Sequence, residues 1–300
     1  MKILVTGGAG FIGSNLAIEL ESKNHEVMVL DNFIFGNYRN LLEFNGRVIT
    51  GSICDSNLLN SIKDVDFVFH QGAISDTTYK DESETLKVNI QGFNNILNYC
   101  KENQIGLVYA SSAAVYGKQN GMMIESQQAS PANAYAFSKL QNDISAKKQY
   151  EYFEDTPLIG LRYFNVYGSG EVFKNKSASM IYQLTNQIKA NNKGKLFKNG
   201  EQKRDFVYIK DIISANLLAM KSKKHDVYNV GSGQANSFNE VFNLINKELN
   251  TNATIEYIDN PYSDFYQSYT QANLSKISSE LNYSPKFDIN SGIHDYLSNL

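Results

Sequence analysis

A serine pair, a tyrosine and a lysine in the first half of the chain have the types and spacing needed for proton transfer. Ser111 and Ser112 end an apolar run, and Tyr135 is followed four residues later by Lys139. Residues four apart share one helix face, so the ammonium lies beside the phenol and favours the phenolate. A tyrosine normally titrates near ~10, so a lowered pKa makes Tyr135 a base near neutrality, while Ser112 holds a hydroxyl toward it.

In a chain with 19 tyrosines the Tyr-x-x-x-Lys spacing also arises by chance. The Tyr135–Lys139 pair is therefore informative mainly because of the motif that precedes it. The chain begins with KILVTGGAGFIG, a short apolar strand that runs into Gly7, Gly10 and Gly13 and then into an apolar helical run. The first glycine permits a tight turn, the second admits a pyrophosphate, and the third lets the helix pack on the sheet. The helix N-terminus then faces the phosphates of a dinucleotide.

A second apolar strand strengthens the prediction of a dinucleotide site. It ends at Asp31, and an acid at that place accepts hydrogen bonds from the adenosine ribose. The positive charge of an oxidised nicotinamide would also favour the Tyr135 phenolate. A glycine-rich loop that binds no nucleotide is the weaker alternative.

Alternating elements predict the scaffold that positions these residues. Apolar strands are predicted at 2–6, 26–31, 47–50, 65–70 and 105–111, and amphipathic helices at 12–23, 56–63, 83–103 and 134–150. This alternation predicts an α/β fold with a doubly wound parallel sheet of the Rossmann type. Later segments predict strands at 158–163, 227–231 and 254–258, a helix at 237–250 and a hairpin-like piece at 194–200.

The looser second half predicts a smaller α/β C-terminal substrate subdomain threaded through the sheet domain. The dinucleotide-binding domain is expected to comprise 1–165, 205–232 and 262–276. The substrate-binding subdomain is expected to comprise 166–204, 233–261 and 277–300.

Bulk composition excludes several classes of protein. The 300 residues are 42% hydrophobic with a net charge of −3, which gives no indication of a nucleic-acid partner. No apolar run is long enough to cross a bilayer, so no membrane partner is expected. The two cysteines form no disulfide framework and favour a cytoplasmic location. The four histidines are scattered along the chain, so no metal site is expected.

The glycine turn, Asn89-Ile-Gln-Gly92, Ser112, Tyr135 and Lys139 together resemble an extended short-chain dehydrogenase/reductase that acts on nucleotide sugars. The resemblance runs from residue 2 to about residue 287 and implies hydride chemistry on a sugar hydroxyl with tightly held NAD or NADP. Longer motifs, in the same order, resemble the ADP-glyceromanno-heptose 6-epimerase family: 70–78, 109–117, 162–168, Lys174 with 177–179, 195–197, 203–208 and 266–271.

That family implies oxidation of the heptose C6 hydroxyl to a ketone and reduction from the other face. Inversion requires proton transfer on both faces, so one base suffices only if the ketone turns over. The resemblance implies two bases, Tyr135 and Lys174. Lys176 is the alternative second base, and a loop lysine that binds solvent or a substrate phosphate is the alternative role for Lys174.

The turn and the resemblance together assign the remaining contacts. Cofactor contacts are expected from Gly7, Gly10, Phe11, Ile12, Gly13, Asp31, Asn32, Arg39, Ser52, Ile53, Gln71, Gly72, Ala73, Asn89, Tyr135 and Lys139. Substrate contacts are expected from Thr77, Thr78, Ser112, Asn165, Lys174, Ser177, Phe197, Arg204 and Tyr266.

Several of these assignments have structural alternatives. Arg204 is expected to grip the substrate diphosphate, and the alternative is an ion pair with Asp205. Phe197 either packs on the nucleotide base or belongs to the core. Thr77 and Thr78 either line the sugar pocket or cap the following helix. Asn89 is expected to order backbone and water rather than to perform chemistry.

The choice of cofactor and the reaction each have rivals. Ser52-Ile53 stands where the family usually has an acid that contacts adenine. Asp31 would repel the 2′-phosphate of NADP, whereas Arg39 would attract it. NADP is favoured as the cofactor, and NAD stays possible. A UDP-hexose 4-epimerase or a GDP-heptose C4 oxidoreductase would share Ser112, Tyr135 and Lys139 without needing Lys174.

Two further alternatives are weaker. A 4,6-dehydratase is disfavoured, because Ala113 and Ala114 stand where that activity needs an acid pair. A non-catalytic nucleotide sensor on the same fold is disfavoured, because the tyrosine and lysine are both retained. Family members form oligomers, so a homo-oligomer is expected.

Overall fold

The computed structural model describes residues 1–77, 79–119, 121–260 and 267–300. Its strands are β1 (Lys2–Thr6), β2 (Glu26–Asp31), β3 (Arg47–Thr50), β4 (Phe67–His70), β5 (Gly106–Ser112), β6 (Leu158–Tyr163), β7 (Asn165–Tyr167), β8 (Lys193–Phe197), β9 (Lys203–Arg204), β10 (Phe206–Tyr208), β11 (His225–Val230), β12 (Asn236–Ser237) and β13 (Thr254–Ile258). Its α-helices are α1 (Phe11–Ser22), α2 (Ser56–Ser61), α3 (Glu82–Leu86), α4 (Gly92–Asn103), α5 (Ala134–Lys147), α6 (Met180–Asn191), α7 (Ile209–Met220), α8 (Phe238–Glu248), α9 (Ser275–Leu281) and α10 (Ile289–Ser298).

Seven parallel strands form the central sheet in the order β11-β6-β5-β4-β1-β2-β3. The chain runs outward from β1 to β3 and then returns to place β4 on the other side of β1. This reversal lies at the carboxyl ends of β1 and β4, where open α/β sheets bind their ligands. The predicted doubly wound Rossmann-type sheet is confirmed.

Helices cover both faces of the sheet. Ile3 and Val5 belong to a buried cluster that includes residues of α1 and α7, whereas Leu4 belongs to a second cluster with α4. Side chains alternate across a strand, so burial on both faces requires nearly continuous apolar runs. This is why the strand positions were readable from the sequence.

The C-terminal half holds the main departures from the predicted elements. The predicted hairpin at 194–200 is wrong, because β8 pairs in parallel with β13, more than fifty residues later in the chain. Helices α7, α9 and α10 had no counterpart among the predicted elements. Helix α7 is buried around much of its circumference and so lacks a polar stripe. The division into two subdomains stays a prediction.

The predicted helix at 83–103 is an unbroken run of three parts. Helix α3 passes into a π-helical turn at Lys87–Gln91 and then into α4. The predicted helix at 134–150 ends as α5 at Lys147, followed by a short 3₁₀ turn at Tyr150–Tyr152. In the ranges described above, no helix is long and apolar enough to span a bilayer.

Replacing Gly13 with alanine tests the packing of α1 on the sheet. A Cβ at Gly13 would lie 2.2 Å from the carbonyl oxygen of Gly7, so the helix must move away. We expect Gly13→Ala to lower the free energy of unfolding by about 1–3 kcal/mol in urea denaturation. Ser22→Ala, at an exposed helix end, is the control and should change it by less than about 0.5 kcal/mol. Equal stabilities for the two variants would contradict this account.

Candidate active site

The glycine turn lies at the reversal of the sheet. Gly7 has a φ of +67°, and a Cβ there would lie 2.5 Å from the Cα of Gly72 in the loop after β4. Gly10 precedes α1 and supplies no side-chain cap. The first-turn amides of α1 therefore face the space between the β1 and β4 loops, and this arrangement suits a phosphate group.

Asp31, at the end of β2, is buried beneath the loop that follows it. Its carboxylate accepts hydrogen bonds from the backbone amides of Ala9 (3.0 Å) and Phe33 (2.8 Å). Burial raises the pKa of Asp31, and these two hydrogen bonds oppose that shift. A Cβ at Gly36 would lie 2.8 Å from the carboxylate, so the loop closes tightly over it. Asp31 is thus oriented by the turn that it adjoins.

Arg39 projects from a 3₁₀ turn just beyond this loop. Its guanidinium carbon lies 5.1 Å from the centre of the Tyr38 ring and 5.9 Å from the centre of the Phe173 ring. The side chain is exposed, as is that of Asn32. Arg39 therefore presents a positive charge at the outer edge of the predicted adenosine site.

Ser52 and Ile53 lie after β3. The Ser52 hydroxyl accepts a hydrogen bond from the Cys54 amide (3.1 Å), and the Ile53 carbonyl accepts one from the Asn95 side chain (3.1 Å). The Ile53 side chain packs on Gly92 in α4, where a Cβ would approach it to 2.5 Å. This contact fixes the loop expected to lie beside the adenine.

Asn89 connects three elements from inside the π-helical turn. Its side-chain oxygen accepts from the Ile74 amide (2.8 Å), and its side-chain nitrogen donates to the Ile74 carbonyl (3.0 Å) and to the Ser138 hydroxyl (3.0 Å). The loop after β4, which contains Gln71, Gly72 and Ala73, is thereby tied to α5. This ordering of backbone is what the sequence assigned to Asn89.

Gln71 is held from the opposite side by α7. Its side-chain nitrogen donates to the Asn216 oxygen (3.2 Å), and the Tyr163 hydroxyl lies 3.2 Å from the Gln71 oxygen. Asn216 also donates to the Tyr163 hydroxyl (2.8 Å). Asn216 was not predicted as a site residue because helix α7 was not predicted. Tyr163 was not predicted because its sequence context is that of an ordinary strand residue.

Tyr135 and Ser112 meet where α5 begins and β5 ends. Asn133 caps α5 by accepting a hydrogen bond from the Ala136 amide (2.8 Å), which fixes the first helical turn. The Ser112 hydroxyl accepts from the Ala114 amide (3.1 Å). Burial raises the pKa of the Tyr135 phenol, and a hydrogen bond with Ser112 opposes that shift.

Lys139 lies one helical turn beyond Tyr135 and is almost fully buried. Its Nζ donates to the carbonyl oxygen of Ala110 (2.8 Å) and lies 5.9 Å from the centre of the Tyr135 ring. Burial lowers the pKa of Lys139 to about 8, although the nearby Asp143 acts to raise it. The predicted lowering of the Tyr135 pKa is wrong for the protein alone, because burial outweighs the other influences on the phenol.

Beneath Lys139, α5 carries a buried ion pair. The Asp143 carboxylate accepts from Nε (3.0 Å) and Nη2 (2.9 Å) of Arg162 in β6 and from the Tyr109 hydroxyl (3.2 Å). The guanidinium also donates to the Tyr116 hydroxyl (2.9 Å). Neither Asp143 nor Arg162 was predicted, but the acid four residues after Lys139 was the available signal.

Lys174 lies in a 3₁₀ segment, Glu171–Ser177, packed against the glycine turn. Its Nζ is 5.8 Å from the centre of the Phe11 ring. Burial lowers the pKa of Lys174, whereas Glu171 and Asp76 act to raise it. The Ser177 hydroxyl donates to the Lys174 carbonyl (2.8 Å). Lys176, the alternative base, is exposed.

Arg204, which is predicted to bind the substrate diphosphate, ends strand β9. Arg204 is buried, donates to the Lys203 carbonyl (2.9 Å) and places its guanidinium carbon 5.7 Å from the centre of the Phe238 ring. The Asp205 carboxylate accepts hydrogen bonds from the Ser232, Gly233 and Ala272 amides and from the Ser232 hydroxyl.

Three further predicted substrate residues lie within the described part of the chain, and two lie outside it. Asn165 is exposed, and its side-chain oxygen accepts from the Thr270 hydroxyl (3.3 Å). Phe197 ends β8 and is half-buried, and Thr77 is exposed. The cap of the helix after Thr77 is Asp81, which rules out the capping alternative for Thr77. Thr78 and Tyr266 lie outside the described residues.

Ser112, Tyr135 and Lys139 beside a dinucleotide-type turn define the class of this protein. The model of the NAD dependent epimerase/dehydratase family matches residues 3–231, and the chain belongs to that family. It is 38% identical to the ADP-L-glycero-D-manno-heptose-6-epimerase of Brachyspira hyodysenteriae, over 98% of this chain and 96% of that protein.

Solved structures of epimerases are also similar to this chain. The ADP-L-glycero-D-manno-heptose-6-epimerase of Helicobacter pylori superposes with a TM-score of 0.94 at 41% identity, covering 99% of this chain and 95% of that one. The UDP-glucuronic acid 4-epimerase of Bacillus cereus, solved with UDP-glucuronic acid and NAD, matches at 0.87 and 29% identity, covering 100% and 99%. The family resemblance drawn from the motifs is confirmed.

Replacing Arg162 with methionine tests the ion pair beneath the site. Removing one partner leaves Asp143 buried and uncompensated, and we expect the free energy of unfolding to fall by about 3–5 kcal/mol at pH 7. Burial already raises the Asp143 pKa in the folded state. Loss of the guanidinium should raise this pKa further, so the deficit relative to wild type should grow as pH rises from the wild-type folded pKa to the higher folded pKa of the variant.

Urea denaturation between pH 5 and pH 8 measures this dependence. The double variant Arg162→Met with Asp143→Leu is the control, because it removes both charges and should recover most of the loss. A deficit in Arg162→Met that is independent of pH, or as large in the double variant, would show that the pair is not the cause.

Proposed function

We propose that this protein is a nucleotide-sugar epimerase that inverts C6 of an ADP-linked heptose by transient oxidation and re-reduction. The observation that carries this proposal is the presence of two partly buried proton-transfer groups, Tyr135 and Lys174, on different elements. Tyr135 projects from α5 beside Ser112, and Lys174 projects from the Glu171–Ser177 segment against the glycine turn. The similarity to heptose epimerases over nearly the whole chain supports this choice of sugar and nucleotide.

The residues at the sheet reversal fit a dinucleotide. The close approach of Gly7 to Gly72 leaves no room for a side chain at Gly7. Gly10, the N-cap of α1, supplies no side-chain cap at the expected phosphate position. Asp31 lies where an adenosine ribose would be held, and Lys139 is the candidate for the ribose nearer the reaction. A bound nicotinamide supplies the hydride acceptor and donor.

The protein's own residues supply the proton transfers. We assign Ser112 to holding the sugar hydroxyl. Tyr135 takes the hydroxyl proton of one epimer as that epimer is oxidised, and it returns a proton only when the same epimer is re-formed. The Lys139 ammonium, held on the Ala110 carbonyl, adds positive charge near the phenol. Inversion needs a second group on the other face of the carbon, and Lys174 has a pKa lowered by burial. A lowered pKa increases the fraction of free amine, the form that accepts a proton.

NADP is the cofactor that we propose. Arg39 is exposed at the edge of the predicted adenosine site, and the Asp31 carboxylate is engaged by two backbone amides. A guanidinium is well suited to bind a phosphate. We further propose that Arg204 binds the substrate diphosphate, that the protein is cytoplasmic, and that it forms a homo-oligomer.

Incubation with ADP-D-glycero-D-manno-heptose tests the proposed reaction. Proton NMR should show conversion to a mixture of the two C6 epimers without added cofactor, because a tightly held dinucleotide is regenerated in each turnover. Mass spectrometry of the molecule released on denaturation identifies NAD or NADP. Absence of conversion with either cofactor added, together with conversion of a UDP-hexose, would replace this proposal with 4-epimerisation.

Removing the Tyr135 hydroxyl separates an enzyme from a nucleotide sensor. We expect Tyr135→Phe to lower kcat by about 10²–10⁴-fold, the usual contribution of a positioned general acid or base. Cofactor content, measured by absorbance after denaturation, should stay at the wild-type level. Phe137→Leu, an exposed change on the same helix, is the control and should leave kcat within about twofold of wild type. Unchanged turnover in Tyr135→Phe would contradict the assigned role.

Replacing Lys174 with methionine tests the second base. We expect kcat for C6 epimerisation to fall by about 10²–10⁴-fold with cofactor retained. Lys176→Met is the matched control, because this lysine is exposed and only two residues away. If Lys176→Met loses the activity and Lys174→Met retains it, the two assignments must be exchanged.

A further inference from the structure

Glu171 is a fully buried carboxylate three residues before Lys174. It accepts hydrogen bonds from the Gly168 amide (3.0 Å), the Ser179 amide (2.5 Å) and the Ser179 hydroxyl (2.9 Å). Gly168 follows β7, and Ser179 is the N-cap of α6. One carboxylate therefore joins the two ends of the segment that carries Lys174.

Closing the segment in this way fixes where its middle can lie. Its entry is also tied to α1, because the Asn15 side chain donates to the Ser169 carbonyl (2.8 Å). The midpoint of the segment then lies against the glycine turn, with Lys174 over the Phe11 ring. A lysine side chain has four rotatable carbons, so a fixed backbone is needed to place its amine reproducibly.

The same carboxylate is an anion within electrostatic reach of the Lys174 amine. Glu171 acts to raise the pKa of Lys174, as does Asp76, which approaches from the loop after β4. Burial raises the pKa of Glu171, and the hydrogen bonds from Ser179 and Gly168, together with Lys174, oppose that shift. The other titratable groups that Glu171 influences are the phenols of Tyr167 and Tyr296, which are uncharged at neutral pH.

We infer that Glu171 is a positioning residue for Lys174: it closes the loop that presents the amine and supplies the negative charge beside it. This inference rests on the proposed two-base function. It adds to that function a residue that touches neither substrate nor cofactor. Loop closure and charge are supplied by the same two oxygen atoms, so a change in the carboxylate disturbs both.

Glu171→Gln is the diagnostic change, because it keeps the side-chain shape, removes the charge and turns an amide donor toward backbone donors. Glu171→Asp retains the charge on a shorter arm and serves as the conservative variant. Asp211→Asn is the matched control for a merely structural effect. Asp211 is also buried and accepts two backbone amides, from Lys286 and Phe287, but does not contribute to the Lys174 pKa.

The first measurement separates the two faces of the reaction. Holoenzyme is mixed in excess with one C6 epimer at a time, and the initial rise in absorbance at 340 nm reports oxidation by the base facing that epimer. Lys174→Met should slow oxidation of one epimer only. Glu171→Gln should slow the same epimer by about 10²-fold, the loss expected from a small misplacement, and Glu171→Asp should recover part of it. Asp211→Asn should leave the ratio of the two rates unchanged.

The second measurement follows the Lys174 amine without turnover. The pH dependence of its acetylation by acetic anhydride, read by peptide mass spectrometry, gives its titration midpoint, with Lys176 as an internal reference. The midpoint should fall in Glu171→Gln, because a neighbouring negative charge is lost. It should stay close to the wild-type value in Glu171→Asp and in Asp211→Asn.

The outcomes distinguish this inference from the function on which it rests. Equal slowing of both epimers by Glu171→Gln, or an unchanged Lys174 midpoint, overturns the role of Glu171. Equal slowing of both epimers by Lys174→Met overturns the two-base function instead. In that case a shifted midpoint in Glu171→Gln would still support the electrostatic interaction between the two side chains.

Discussion

The close approach of the β1 and β4 loops is the constraint on which the rest of the site depends. Gly7 takes a left-handed conformation and lies so near Gly72 that a Cβ at position 7 would come within 2.5 Å of the Gly72 Cα. This contact sets the floor of the cleft, and α1 begins directly above it. The Asp31 loop and the Lys174 segment are positioned relative to that floor, because the Ala9 amide donates to Asp31 and Lys174 lies over the Phe11 ring.

Electrostatics at the site follow from burial rather than from surface charge. Lys139 would be costly to bury as a cation, and its pKa is correspondingly lowered to about 8. Asp143 acts to raise this pKa, and its carboxylate is also paired with Arg162 through two hydrogen bonds to one oxygen. The lysine therefore stays close to the point at which it can gain or lose a proton near neutral pH.

The sequence was informative where local physics decides the structure. Parallel strands buried on both faces and the glycine turn leave strong patterns, so β1 to β6 and the Ser112, Tyr135 and Lys139 positions were predictable. Helix α7 was not, because a helix buried on most sides lacks the polar stripe that marks amphipathic helices. The parallel pairing of β8 with β13 was not either, because strands distant in sequence leave no short-range signal. Glu171 and Asn216 act through partners that only the fold brings together.

The π-helical turn at Lys87–Gln91 has a consequence for how this region tolerates length changes. A π turn holds one residue more than the α-helical geometry around it. Deleting a single residue there would let α3 and α4 merge into one regular helix. Each residue of an α-helix advances by about 100°, so the deletion would rotate Asn89 away from Ile74 and Ser138. The loop after β4 would then lose the hydrogen bonds that connect it to α5. The extra residue therefore keeps the β4 loop and α5 in their relative positions.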